Sequence, residues 1–272
     1  MNKGIVVGLV MVVAFGAFGS AGCRRKTNLP AAGSVEADQY LFEHGTDALK
    51  RKRWLEAREY FKKLVDTYPQ SQYRQDSKLG IGDSYLGEDT IESNVLAANE
   101  FREFLSFFPG NARTDYAQFK IAVAASSQML GPDRDPTPAR EALDASNLFL
   151  RNYPTSVLKP DVETVKRQAQ DQLSGYDFKV GRHYYRVGWF PGALDRFKAL
   201  LDADPEYYQR DEIYFMTAEM YHRTDRDKEA MPYYDRVIRE FEKSEFIEKS
   251  KKRIAEIMRL KPELKPTDAI KR

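Results

Sequence analysis

The stretch WLEAREYFKKLVDTYP, residues 54–69, decides how the rest of the chain is read. Ala57 and Phe61 stand four residues apart, on one helical face, and Pro69 follows Phe61 by eight. A small residue lets a neighbouring backbone approach, the aromatic one turn on fills the space beside it, and proline stops the helix.

The same offsets recur downstream. VLAANEFREFLSFFP (95–109) carries Ala97, Phe101 and Pro109, and PAREALDASNLFLRNYP (138–154) carries Ala142, Ser146 and Pro154. WFPGALDRFKALLDADP (189–205) carries Ala193, Phe197 and Pro205. DKEAMPYYDRVIREFE (227–242) carries Ala230 and Tyr234, with Glu242 where proline would fall. Upstream of each lies a second small residue. Gly45, Gly181 and Ala218 precede their alanine by twelve, Gly82 precedes Ala97 by fifteen, and Ala122 precedes Ala142 by twenty. Tyr85, Tyr184 and Tyr221 follow three residues after the upstream small residue.

Five agreeing copies are similar to the tetratricopeptide pattern of paired antiparallel helices. The expected fold is all-α, a right-handed α-solenoid of five tetratricopeptide-like helix pairs at 38–71, 75–111, 115–156, 174–207 and 211–243. An amphipathic stretch, SEFIEKSKKRIAEIMRL (244–260), is expected to cap the open end. The inserts GEDTIES and GPDRDPTP, in the second and third units, read as loops. DVETVKRQAQDQL (161–173) suggests that the first helix of unit four begins early.

The N-terminus has a different logic. Residues 1–22 place Lys3 before an apolar, glycine-containing run that ends in Ser20, Ala21 and Gly22, the pattern of a signal peptide. The only cysteine, Cys23, follows directly, and SAGC resembles the bacterial lipobox, in which that cysteine becomes lipidated. An uncleaved anchor and plain secretion are the alternatives. Arg24 and Arg25 after the apolar run disfavour an anchor with its N-terminus inside. Several acyl chains anchor stably. Arg24 is not the aspartate that marks inner-membrane retention in well-studied Gram-negative cells, so by that analogy the destination is the outer membrane, facing the periplasm. The expected organisation is a signal peptide at 1–22, a lipidated flexible tether at 23–36, repeats one to three at 37–156, repeats four and five with the cap at 157–261, and a disordered tail at 262–272. A tether of that length sets the folded part about 20 Å from the bilayer.

Bulk chemistry excludes several functions. With 43 Lys and Arg against 41 Asp and Glu, the net charge is +2, too small for a general nucleic-acid field. One cysteine permits no internal disulfide, and His44, His183 and His222 show no ligand spacing, so no metal or cofactor is expected. No GxSxG, P-loop or histidine-containing triad is present, and GIGDSYLG (80–87) lacks the lysine of a phosphate loop and falls on a repeat helix. The expected protein is not an enzyme. Stacked helix pairs instead leave their first helices lining a concave surface, on which Phe42, Thr46, Leu79, Asp83, Tyr116, Phe119, Phe178, Arg182, Tyr185, Phe215, Glu219 and Arg223 are expected. Their aromatics serve either packing between repeats or an aromatic groove for an extended peptide or a partner helix.

With lipobox-like start, linker, five repeats and terminal helix together, the chain resembles the BamD family of β-barrel assembly lipoproteins. ALKRKRWLEAREYFKKLVDTYPQSQY resembles that family's first repeat, PDRDPTPAREALDASNLFLRNYPTS its third, and VGRHYYRVGWFPGALDRFKALLDADP its fourth. Ser146, where an aromatic is usual, and the missing proline of unit five depart from it. The resemblance implies a scaffold that holds BamA, the barrel-forming partner, through its C-terminal repeats, with Arg182, Tyr185 and Arg186 in contact. It also implies that the N-terminal repeats receive targeting segments of unfolded outer-membrane proteins at Phe42, Tyr73, Tyr116 and Phe119. Other assembly lipoproteins are further possible partners. The alternative is another periplasmic repeat scaffold, one that coordinates cell-wall synthesis or division.

Overall fold

In the computed structural model, residues 36–132 and 134–264 are described, and among them there are eleven helices and no strand. The helices are α1 (Ala37–Lys50), α2 (Trp54–Thr67), α3 (Arg74–Glu88), α4 (Ile91–Phe107), α5 (Thr114–Ser126), α6 (Thr137–Asn152), α7 (Lys159–Arg186), α8 (Phe190–Ala203), α9 (Arg210–Arg223), α10 (Asp227–Glu240) and α11 (Ile247–Leu260). Each odd-numbered helix from α3 to α9 packs on the helices before and after it. That is the expected stack of five helix pairs, closed by α11 against α10.

The spacing that announced the repeats works through direct contact. A Cβ built on Gly45 would stand 2.7 Å from the Phe61 ring, and one on Gly80 of the next repeat 2.5 Å from the same ring. Phe61 is thus wedged between two glycine-bearing helices. Phe101 sits likewise on Gly82 and Phe197 on Gly181. The alanine of each pattern, Ala57, Ala97, Ala142, Ala193 and Ala230, is fully buried. Burying each phenylalanine contributes about 2–3 kcal/mol. In unit three Ser146 takes the aromatic's place, fully buried, and its hydroxyl donates to the Ala142 carbonyl of its own helix at 2.7 Å.

The turns inside the pairs share one geometry. Lys52, Asp89, Gly188 and Asp225 have φ of 58°, 52°, 80° and 59°, the left-handed conformation that lets a helix reverse within a few residues. In three of these turns the same backbone bond closes the reversal: Arg53 to Ala48, Trp189 to Tyr184 and Arg226 to Tyr221, each at 2.9 Å.

GEDTIES forms no extended loop. α3 runs to Glu88 and α4 starts at Ile91, because Thr90 and Ser93 form a reciprocal capping box with bonds of 3.0 and 2.9 Å. The extra residues lengthen helices instead. Of GPDRDPTP, the described residues up to Pro136 lie in the α5–α6 connection, while Thr137 and Pro138 open α6. α7 is continuous over 28 residues and packs on α5, α6 and α8, so the first helix of unit four does begin early. GIGDSYLG lies within α3.

The turns between pairs carry a side-chain clasp. Ser71 Oγ donates to Asp38 Oδ2 at 2.6 Å and accepts from the Tyr73 amide at 3.1 Å. Ser156 repeats this with Asp115 at 2.6 Å and the Leu158 amide at 3.1 Å. The exit turn of a pair is thereby tied back to the first turn of that pair's own first helix. Unit four does it with charge. Asp204, 2% exposed, takes two bonds from Arg167 at 3.0 and 2.6 Å and one from Ser174 at 2.7 Å.

Cys23, the signal peptide and the tether up to Val35 lie outside the described residues, as does the tail beyond residue 264. Leu264 packs on the Ala218, Tyr234 and Ile257 cluster. No helix among the described residues is long and apolar enough to cross a membrane.

Candidate partner-binding surface

The candidate residues fall into local groups set by their helices. Phe42 on α1 stacks on Tyr73, which leads into α3, with ring centroids 4.8 Å apart and planes within 16°. Phe42 also meets Phe61 at 6.2 Å. Both candidates are half-buried, so they form a paired apolar surface with one side open.

Tyr116 on α5 is held from several sides. Its hydroxyl donates to Asp83 at 2.7 Å, its ring meets Phe101 edge-on at 6.4 Å, and Arg113 and Lys120 lie over it at 4.7 and 5.2 Å. Lys120 also reaches Asp83 at 3.9 Å and the Phe119 ring at 6.0 Å. Burial pushes the Asp83 carboxyl up, and the Tyr116 bond with the charges of Lys120 and Arg113 lowers it only in part, leaving it raised. Among the described residues no ring contact joins the Phe42–Tyr73 pair to the Tyr116 group. Together they offer aromatic faces with cations nearby, chemistry suited to an extended segment rich in aromatics and terminating in carboxylate.

On α7, Arg182 is exposed and pairs with Glu212 of α9 at 3.4 Å. Tyr185 is half-buried, with Arg223 over its ring at 5.3 Å and Phe190 at 6.0 Å. Arg186 ends the helix, exposed. Here α7 and α9 present alternating charge around one tyrosine.

Three positions expected on the surface are buried. Leu79 and Phe178 are 1% and 3% exposed, each covered by packing in its own cluster. Glu219 is 4% exposed, bonded to Tyr234 and covered by Arg253 of α11. Sequence reasoning did not single out Glu212, Arg113 or Arg253. Glu212 lies one helical repeat on from Arg182, and only the contact between α7 and α9 brings them together.

Two grooves open on the side of the second helices. One of about 630 Å³ lies between α8, α9 and α10, lined by Leu194, Leu201, Tyr214, Tyr221, Tyr233 and Arg236 among others. One of about 550 Å³ lies between α4, α5 and α6, with Leu105, Ile121, Ala145 and Leu148 on its floor and walls. Among the described residues no group of three or more His, Cys, Asp or Glu is placed to hold a metal ion.

The family model described as "YfiO: Outer membrane lipoprotein" matches residues 35–234, a span that takes in the first four repeats and most of the fifth. The outer membrane protein assembly factor BamD of Caulobacter vibrioides is 29% identical over 203 residues, covering 74% of this chain and 65% of that protein. BamD of Neisseria meningitidis serogroup B is 23% identical over 171 residues, covering 59% and 63%. BamD of Rickettsia prowazekii is 21% identical over 229 residues, covering 84% and 86%. The match thus spans just under two thirds of the length of the Caulobacter and Neisseria relatives.

Proposed function

The chain belongs to the YfiO family of outer membrane lipoproteins, and on that premise we propose that it is a non-catalytic scaffold in the assembly of outer membrane proteins. The family match across residues 35–234 carries this reading, because it runs through nearly the whole helical stack rather than one motif. Relatives named as outer membrane protein assembly factors support it.

In the finer reading, lipid on Cys23 anchors the protein to the outer membrane, and the stack faces the periplasm. The N-terminal repeats take targeting segments of unfolded outer-membrane proteins along the Phe42–Tyr73 pair and beside Tyr116 and Phe119. The open ring faces, with Arg113 and Lys120 beside them, favour an aromatic, carboxylate-ended ligand. The C-terminal repeats hold a BamA-like barrel assembly protein through Arg182, Tyr185 and Arg186. Arg182 is exposed and already engages a carboxylate, Glu212, so a partner's acidic group can compete for it. Further assembly lipoproteins would join the same scaffold.

Depletion of the protein from its native cell tests the role. The folded, heat-modifiable fraction of β-barrel proteins in the outer membrane should fall before growth stops. An unchanged folded fraction would remove the proposal. For the finer reading, Arg182→Glu with Arg186→Glu should weaken capture of the barrel assembly partner at least tenfold; unchanged capture would exclude that surface.

A further inference from the structure

The first turn of the stack departs from the others at one position. Lys52, Asp89, Gly188 and Asp225 hold the same left-handed place between the two helices of a pair, with φ of 58°, 52°, 80° and 59°. Glycine adopts that backbone without strain, and aspartate tolerates it because its short side chain bonds locally. Lysine has neither advantage. Lys52 is therefore strained, and the bond from the Arg53 amide to the Ala48 carbonyl at 2.9 Å keeps it so.

The strained residue belongs to a run of four cations. Lys50, Arg51, Lys52 and Arg53, which join α1 to α2, are all exposed. Arg51 pairs with Asp47 at 3.1 Å and Arg53 with Glu56 at 3.4 Å. Among the described residues Lys50 and Lys52 enter no ion pair. Solubility alone does not call for this arrangement, because the same charge could stand at an ordinary helical surface position without strain.

Apolar surface lies directly beside the charge. Leu55, the second residue of α2, is 63% exposed. Trp54, between it and the cations, is fixed from behind: its ring atoms lie 2.8 Å from where a Cβ on Gly87 of α3 would stand. The turn is thus held rigidly while Lys50, Lys52 and Leu55 stay open to solvent. A three-residue connection protrudes rather than encloses. Protruding cations with an exposed leucine match a flat anionic surface that has an apolar layer beneath it. The family's description as outer membrane lipoproteins puts such a surface within reach.

We propose that the Lys50–Leu55 turn rests on the bilayer, with Lys50 and Lys52 against the phosphates of anionic lipid headgroups and Leu55 at the acyl boundary. The contact is separate from an acyl anchor on Cys23 and orients the first repeat on the membrane. It is independent of the partners proposed above.

The test uses the full chain carrying Cys23→Ser, which removes the acyl attachment point. It is titrated with vesicles of phosphatidylcholine alone and with vesicles containing about one-third phosphatidylglycerol. Partition should be stronger on the anionic vesicles and should fall as salt rises. In that background Lys52→Gly should weaken partition onto anionic vesicles about fivefold, and Lys50→Gln with Lys52→Gly about 25-fold, the effect of one and two basic residues near a charged surface. Lys52→Gly should at the same time raise the thermal unfolding midpoint, because glycine relieves the strained backbone. Weaker binding with greater stability is a combination that a purely structural lysine would not give. Equal partition of the double variant and its parent on anionic vesicles would overturn the proposal. So would displacement from the vesicles by inorganic phosphate at matched ionic strength, because the turn would then hold a discrete anion rather than a membrane surface.

Discussion

Arg253 on α11 grips Glu219 on α9, with Nε 2.8 Å from one carboxylate oxygen and a second guanidinium nitrogen 3.3 Å from the other. Tyr234 of α10 donates to the first of those oxygens at 2.6 Å. One buried carboxylate therefore ties three helices, and Lys261 adds a second tie to Asp225 and Asp227 at 2.6 and 2.7 Å. The terminal helix buries few apolar side chains, only Ile257 fully, so these charged ties set how firmly it is held.

Arg253→Ala leaves Glu219 buried with Tyr234 as its remaining close donor. The expected loss is about 2–3 kcal/mol of stability, with Arg253→Lys recovering part of it. Denaturant unfolding measures the total, and amide hydrogen exchange should show the loss concentrated in α11.

Acid should act through the same groups. Burial pushes the Glu219 carboxyl up, but the bonds from Arg253 and Tyr234 and the charge of Arg253 outweigh it, leaving the group below its ordinary value. Asp204 is likewise lowered on balance, burial being outweighed by Arg167 and Ser174. A carboxylate depressed in the folded state gives its full stabilisation above its unfolded value, about 4, and loses it as pH falls through the folded value. Stability should thus fall as pH drops below about 4. Glu219→Gln, less stable at neutral pH, should lose less over that range, read from unfolding free energies between pH 7 and 2.5. Asp83 has the opposite sign: raised by burial, it stabilises most when protonated and loses that as pH rises through its folded value. Asp83→Asn is therefore expected to cost under about 0.5 kcal/mol at pH 7.

Gly45→Ala and Gly82→Ala each place a Cβ 2.7 Å from a buried phenylalanine ring. Neither ring can swing aside without displacing a helix, so each should cost about 2–3 kcal/mol. Gly110→Ala, whose Cβ would meet nothing within 4 Å, is the control and should stay within about 0.5 kcal/mol. Thermal melts distinguish the two outcomes directly.

The exit-turn clasps should be worth about 1 kcal/mol each. A double-mutant cycle of Ser71→Ala with Asp38→Ala should return a coupling of that size, and Ser156→Ala with Asp115→Ala the same. Zero coupling would mean that the turns hold by backbone geometry alone.

The repeat architecture was legible because its signal is steric. Alanine, an aromatic one turn on and a closing proline reflect contacts such as Phe61 on Gly45, which nothing larger than glycine would allow. The insert GEDTIES misled because Gly87, Asp89 and Thr90 carry loop-like composition. Gly87 is there because Trp54 lies on it, with ring atoms 2.8 Å from where a Cβ would stand, and Thr90 is there as a cap. The surface was harder to read. A single helix's period predicts which residues leave its own pair, but Leu79 and Phe178 sit in clusters that draw on the next repeat as well as their own partner helix, and Arg253 of α11 covers Glu219. Phe42 and Tyr73 are far apart in sequence, and only the return of the chain into α3 stacks them.

Affinity purification of the tagged, full-length protein from solubilised outer membranes, with mass spectrometry of what accompanies it, tests the assembly role most directly. Near-equal recovery of the large barrel-forming assembly protein is the predicted result. Recovery of cell-wall synthesis or division proteins in its place would contradict that role and leave the helical stack serving a different scaffold.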